Sequence, residues 1–297
     1  MTLFPPEVRT VTTATANTSS DAFRQFAGES FRAIGVAHAF STRRGGVSTG
    51  IFDSLNFGNP SDLPREQRDP PSNIDRNLEI LLQIAGVSGR EHKEIVQVYQ
   101  VHGAKAHVVR AGSPAHPDSP DPVTGESRDT KADAIVTDDP ARVLCVRTAD
   151  CTPILLASRD GRVVGAVHAG WRGVIAGVVP AALEAMRSLG AVDIHAVIGP
   201  CISRAHFEVG PEVVRAFADA FGAESPCRLA DATDPHGKGF VDLQGALRIQ
   251  LSGAGVRAIE TIDLCTVARP DLFFSHRRDN GRTGRMAAII APRGHTR

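Results

Sequence analysis

Four short apolar runs, at residues 134–136, 143–146, 154–156 and 163–167, follow one another with only six or seven residues between neighbours. A crossover joining parallel strands needs about a dozen residues or more. Read as strands, these runs must therefore pair antiparallel at least in part. Further strand-like runs lie at residues 95–101, 106–109, 196–198, 258–262 and 286–290. Helical periodicity appears at residues 72–85, 174–189, 213–221 and 243–251. The first of these opens on Ser72-x-x-Asp75, a capping pattern, places Ile74, Leu78, Leu81 and Leu82 on one face, and is stopped by Gly86. Pro180 sits inside the second and makes a start near that proline an alternative. Helices and strands alternate rather than segregate. The expected fold class is α/β (α+β mixed), with mixed sheets covered by helices and not a purely parallel doubly wound sheet.

Residues 1–30 are rich in Thr, Ser and Ala and carry no periodicity, so they are expected to be a partly ordered segment. Residues 31–297 read as a single domain. Pro, Asp, Ser and Gly mark surface loops at residues 59–71, 112–129 and 224–239. Lys plus Arg and Asp plus Glu each number 33, so the formal net charge is zero. That argues against a broad grip on nucleic-acid phosphate. No run approaches the ~18 apolar residues of a membrane span, and no basic start leads into an apolar run, so a cytoplasmic, signal-free protein is expected. Five cysteines, an odd number without regular spacing, are not a disulfide framework. In a reducing compartment they stay free for metal or chemistry.

Five segments place Gly, His, Cys or Arg where apolar runs end: STRRGGVSTG (41–50) with SLNFG (54–58), QVHG (100–103), RTADC (147–151), VHAGWRG (167–173) and GPCISRAHFEVG (199–210). Strand ends present side chains to a shared cleft. His102, Cys151 and His168 each occupy such a place. Taken singly, each passes for an ordinary polar residue at a sheet edge. Together, two imidazoles and a thiolate suit zinc with an open fourth position, although their separations form no local ligand motif. The same atoms permit a metal-free reading, with Cys151 as nucleophile, His168 as its base and Asp150 nearby.

The glycines of HAGWRG, Gly170 and Gly173, allow close backbone approach at a helix start. Arg172 beside them suggests an anion site for phosphate or carboxylate. Arg43 and Arg44, before a double glycine, suggest the same. Cys201 either faces this cleft or packs beneath a turn. Two motifs are set aside. His206-Phe207-Glu208 matches the H-x-E of zinc deaminases, but Pro226-Cys227 is not followed by the second cysteine that signature needs. The H-x-H pairs of multicopper blue oxidases are absent.

Taken in order, STRRGGVSTGIFDSLNFG, QVHG, ADAIVTDDPARVLCVRTADCTPILL, VGAVHAGWRG, GPCISRAHFEVG and FFSHRRDNGRTGRMAAII resemble the laccase-domain family. That family is also described as multicopper polyphenol oxidases, purine nucleoside phosphorylases and the peptidoglycan editing factor. The resemblance covers roughly residues 37–291. It implies a four-layer α/β/β/α sandwich of two mixed sheets, in a cysteine-hydrolase-like superfamily shared with bacterial toxin cysteine deamidases. It implies a metal site of His102, Cys151 and His168, and pocket roles for Arg43 and Asn56. Two positions depart from the family's habit: His276 stands where Tyr is common, and Cys201 where Ala is frequent.

The function so implied is zinc-dependent phosphorolysis of purine nucleosides (adenosine, inosine, methylthioadenosine), with adenosine deamination as a second outcome at the same metal. Cys151, Asp150 and Arg43 are the expected catalytic residues. Arg43, Asn56, Arg172, Gly170, Gly173 and Cys201 are expected to bind substrate or anion. The expected partners are a purine nucleoside and phosphate, with no nucleic acid and no membrane. The alternatives are an amidase that edits peptidoglycan precursors, a polyphenol oxidase using copper in place of zinc, and a binding module whose metal is closed by four protein ligands. Zero net charge hides local asymmetry, since Arg43, Arg44, Arg172, Arg277 and Arg278 all fall in the motif segments. Cys145, Cys227 and Cys265 are expected to be structural.

Overall fold

The computed structural model describes residues 8–11, 25–87, 94–113, 127–234 and 236–294. In chain order the strands are β1 (Val8–Val11), β2 (Gln25–Phe26), β3 (Ala37–Ser41), β4 (Glu94–Val96), β5 (Val98–Tyr99), β6 (Ala106–Val109), β7 (Ser127–Lys131), β8 (Ala134–Thr137) and β9 (Arg142–Thr148). They continue with β10 (Thr152–Ala157), β11 (Val164–Ala169), β12 (His195–Ile198), β13 (Glu208–Val209), β14 (Cys227–Leu229), β15 (Gly239–Val241), β16 (Ala258–Ile262) and β17 (Met286–Ala291). The helices are α1 (Glu29–Ala33), α2 (Pro71–Ile84), α3 (Trp171–Ala176), α4 (Val178–Ser188), α5 (Pro211–Phe221) and α6 (Leu243–Gly253).

The larger sheet has the order β1-β16-β12-β10-β11-β8-β6. Strands β12, β10, β11 and β8 run antiparallel to one another in turn, while β1, β16 and β12 are parallel, as are β8 and β6. A second sheet, β2-β3-β17-β9-β4, is antiparallel apart from its β4–β9 edge. Both sheets are mixed, as the short connections required. Smaller sheets, β13-β15-β14 and β5-β7, complete the described strands.

Every residue of β10, β11 and β17 is buried. That explains their unbroken apolar sequences: a strand covered on both faces has no polar side to alternate with. One face of the larger sheet, with Val136, Ile154, Leu156 and Ile198, packs on Val174, Val178, Leu183 and Met186 of α3 and α4 and on Leu247 of α6. Its other face, with Ile135, Leu155, Ala166 and Val197, packs on Phe40, Leu144, Val146, Ala288 and Ile290 of the second sheet. The second sheet's outer face, with Ala39, Val143, Cys145, Ala287 and Ile289, is covered by Leu55, Phe57 and Leu81. Truncating a fully buried leucine such as Leu155 or Leu183 to alanine in such cores costs about 2–5 kcal/mol.

Several sequence expectations need correction. Helix α2 begins at Pro71, in the first-turn position proline favours, with Pro70 as its cap residue; Ser72 therefore lies inside the helix and is not its cap. The helix expected over residues 174–189 is two helices. Gly177, at φ +83, makes a left-handed break between α3 and α4, and Pro180 sits harmlessly in the first turn of α4. The run at 95–101 divides into β4 and β5. The loop expected at 224–239 contains β14, which pairs with β15. Residues 114–126 of the loop expected at 112–129 lie outside the described residues, and its last residues open β7. Within the first thirty residues, β1 pairs in parallel with β16 and β2 pairs with β3. Among the described residues no helix is long and apolar enough to cross a membrane.

Candidate metal centre

His168 lies on β11, in register with Pro153 of β10. Thr152 pairs with Ala169, so one further step places Cys151 opposite Gly170. That glycine is a requirement of close packing: a Cβ there would stand 2.9 Å from His102 Cδ2 and 3.0 Å from Cys151 Sγ. His102 follows β5 in the QVHG loop with φ +59, and Asp150 precedes Cys151 with φ +87. Two non-glycine residues in the left-handed region beside one cluster are held there by their surroundings. The three donor atoms of His102, Cys151 and His168 lie within 4.8 Å of one another. The two imidazole rings stand edge to face with centroids 4.9 Å apart.

Asp133, fully buried, organises this cluster. One carboxylate oxygen accepts from His168 Nδ1 at 2.8 Å and from the His102 backbone N–H at 2.9 Å. The other accepts from the N–H groups of Gly103 at 2.7 Å and Val101 at 3.2 Å. Burial would raise its pKa, but the hydrogen bonds from His168, Gly103 and His102 hold it below the ordinary carboxylate value. With Nδ1 engaged, the other ring nitrogen of His168 is left for Cys151. Burial alone would raise the Cys151 thiol; the charge of His168 and hydrogen bonds from both histidines instead bring it down to about 6. Burial would lower His168, yet the Cys151 thiolate and Asp133 push it up to about 9. A carboxylate behind a ligating imidazole is the usual support of a zinc histidine. The donor set fits a zinc-type ion bound by two nitrogens and one thiolate. Among the described residues, this is the one group of three or more His, Cys, Asp or Glu donors that converges.

The remaining sequence-selected residues take varied places. Asp150 turns its carboxylate away into a buried brace, accepting from Thr266 Oγ1 at 2.5 Å, Arg277 N at 2.6 Å and Ser275 Oγ at 3.0 Å. Gly173 packs so that a Cβ would meet Gly103 O at 3.0 Å, which seats α3 against the His102 loop. Arg172 is exposed, with its guanidinium 4.4 Å over the Trp171 ring. Arg43 donates to Asp53 O and Pro270 O and lies 4.5 Å over the Phe274 ring. Arg44 pairs with Asp271. Arg277 donates to the carbonyls of His206 and Glu208, and Arg278 forms a double bond pair with Asp279.

Cys201 is buried among core residues under the helices, its thiol donating to Ile202 O and pushed up by burial. It also borders a cavity of about 540 Å³ with Arg204, Arg228, Phe240 and Asp263, none of them a member of the metal cluster. Asn56 is fully buried in a second polar cluster. Its Nδ2 and the Ser48 hydroxyl both donate to Asp69 Oδ2, at 2.8 and 2.5 Å. Asn77 donates to Ser48 Oγ and Asn56 O and accepts from Val47 N. Asn56 Oδ1 accepts from the Gly58 and Arg285 N–H groups, at 3.2 and 2.8 Å.

Asp133 and Arg285 escaped the sequence reading. The visible signal for Asp133 was an acid between two alanines at the head of an apolar strand, in ADAIV.

Residues 37–293 match the family model described as multi-copper polyphenol oxidoreductase laccase. A purine nucleoside phosphorylase of Deinococcus radiodurans is 35% identical over 259 residues, 86% of this chain and 89% of that one. The purine nucleoside phosphorylase YfiH of Escherichia coli strain K12 is 36% identical over 257 residues, 86% of this chain and 93% of that one. The crystal structure of YlmD from Geobacillus stearothermophilus superposes with a TM-score of 0.76 at 29% identity, covering 95% of this chain and all of that one.

Proposed function

Because the chain belongs to the multi-copper polyphenol oxidoreductase laccase family, we propose that it cleaves purine nucleosides by phosphorolysis at the His102–Cys151–His168 centre. The observation that carries this is the convergence of two imidazoles and a thiolate, backed by Asp133, in a chain whose relatives bear the phosphorylase name. In the reaction, a phosphate oxygen bonds to C1′ of the ribose as the C1′–N9 bond breaks. The bonding pair leaves with the purine, which takes up a proton. Zinc, when bound, supplies a Lewis acid with one position open to substrate. The chain's own groups do the positioning. Asp133 fixes the ring of His168, Gly170 leaves room for His102 and Cys151 to converge, and Asp150 braces the loop that carries Cys151. Arg172, exposed on Trp171 at the start of α3, is an outer cation for the incoming anion, and Arg43 on Phe274 holds the neighbouring loop.

Adenosine deamination would use the same centre with water in place of phosphate. Copper suits the same three donors, but a single cluster does not by itself equip a multicopper oxidase. We read the three stacked cores as the α/β/β/α order of layers, and the Cys151–His168 pair as support for kinship with cysteine hydrolases. That pair also supports a second reading, amide hydrolysis on a peptidoglycan precursor by the thiolate. The deciding assay incubates zinc-loaded protein with adenosine, with and without phosphate. Adenine and ribose 1-phosphate are expected with phosphate present, and nothing above background from Cys151→Ala. Phosphate-independent inosine would indicate deamination instead. No product from adenosine, together with serine released from a serine-bearing muropeptide precursor, would replace the phosphorylase reading with the amidase.

A further inference from the structure

We propose that Arg285, with Arg147 beside it, forms the oxyanion subsite that seats inorganic phosphate next to the metal centre; the identity of the anion rests on the phosphorolytic reading. Neither arginine belongs to the set that the motifs single out. Arg147 lies on β9 opposite Ala287 of β17, and Thr148 lies opposite Met286. Arg285 immediately precedes β17, so it falls on the same sheet face as Arg147, one diagonal step away. Both side chains converge over Gly58, where a Cβ would meet Arg147 Nη1 at 3.1 Å and Arg285 Cγ at 3.5 Å. Any larger residue at position 58 would push into them.

The pair is tied to the metal loop. Gln100, two residues before His102, donates to Arg147 O at 2.8 Å and accepts from Arg147 N at 2.9 Å. Arg285 feels the charges of Cys151 and Asp150. Its backbone N–H is held by the buried Asn56, which gives that motif asparagine a physical task. Arg285 Nη1 donates to the carbonyls of Thr283 and Gly284. Its Nε and Nη2 make no hydrogen bond among the described residues, and neither is a buried orphan, so both reach open space. The guanidinium is thus anchored along one edge and open along the other, the geometry that grips two oxygens of a phosphate. Burial, followed by the charge of Arg285, depresses Arg147 to about 10. Two like charges brought together in a half-buried place are relieved when an anion joins them. Arg43, Arg44, Arg277 and Arg278 differ in that carbonyls or carboxylates already occupy them.

The test compares wild type, Arg285→Gln, Arg285→Lys, Arg147→Gln and, as a control, Arg76→Gln on the exposed face of α2. Zinc-loaded proteins are assayed for the KM of phosphate at saturating adenosine, and inorganic phosphate binding is measured by calorimetry. In Arg285→Gln the phosphate KM is expected to rise about tenfold or more, the scale of a lost charge-assisted bond pair. The adenosine KM is expected to stay within about twofold and the zinc content unchanged, with Arg285→Lys recovering part of the loss. An unchanged phosphate KM in Arg285→Gln overturns the proposal. Should Arg285→Gln fail to fold, Arg285→Lys and Arg147→Gln carry the same comparison, and normal phosphate KM values in both overturn it. If wild type releases no base from adenosine, the phosphorolytic reading falls, and calorimetry judges the subsite alone. Phosphate bound by wild type and not by the Arg285 variants upholds it, whereas equal binding, or none by wild type, refutes it.

Discussion

The Ser48–Asn56–Asp69–Asn77 cluster and the His102–Cys151–His168 cluster are both polar, both built from motif-rich loops and both backed by a buried aspartate. They differ in how their donors and acceptors are met. In the first, hydroxyl, carboxamide and carboxylate groups satisfy one another and the backbone at 2.5–2.9 Å. Nothing there is left to meet a ligand. In the second, Asp133 satisfies the outer edge of His168 and the backbone of the His102 loop, while a thiolate and the inner ring nitrogens face one another. A saturated polar cluster specifies a loop conformation; a cluster saturated only on its outer side specifies a binding site.

Removing the supporting aspartate should act most strongly on the second cluster. Asp133→Ala is expected to lower zinc affinity by about 10–100-fold, read by competition with a chromophoric chelator. Affinity unchanged within about twofold would mean that the histidines hold their geometry unaided. The corresponding cut in the first cluster should be felt in stability and not in chemistry. Asn77→Ala is expected to destabilise the chain by about 2–3 kcal/mol, seen in denaturant unfolding, with kcat per folded molecule preserved. A fall in kcat at unaltered stability would erase the distinction between the clusters.

The smallest effect is electrostatic and belongs to the metal-free chain. With Cys151 at about 6 and His168 at about 9, thiolate and imidazolium coexist between those values. The thiolate contribution is lost as pH falls through about 6, and the imidazolium contribution as pH rises through about 9, so the pair stabilises most in between. The ultraviolet thiolate absorbance, taken as wild type minus Cys151→Ala, should titrate with a midpoint near 6. A midpoint near the ordinary thiol value would show that no such pair forms.

Much of this arrangement could be read from the chain. Buried strands such as Ala134–Thr137 and Ala258–Ile262 announce themselves as apolar runs, and His102, Cys151 and His168 stood out by closing such runs. What escaped depends on long-range pairing. β3, Ala37–Ser41, reads as AHAFS and shows its strand character only between β2 and β17. Gly177 looked like an ordinary residue of one long helix until its left-handed backbone divided α3 from α4. Asp133 meets His168 across 35 residues, and Arg285 meets Asn56 across 229. No local pattern encodes either partnership. The arginines prominent in the motifs proved to be largely braces, because a side chain's type does not reveal whether its donors are already engaged.

The reach of Asp133 bears on what the ion is for. One carboxylate pins three successive N–H groups of the His102 loop and the ring of His168 before any metal arrives. In a zinc finger the ion is the fastener, and the peptide is shapeless without it. Here the polypeptide keeps the shape of the socket in its own hydrogen bonds. The ion is then a replaceable part: it can leave and return, or give way to a different metal, while the fold that receives it stays assembled.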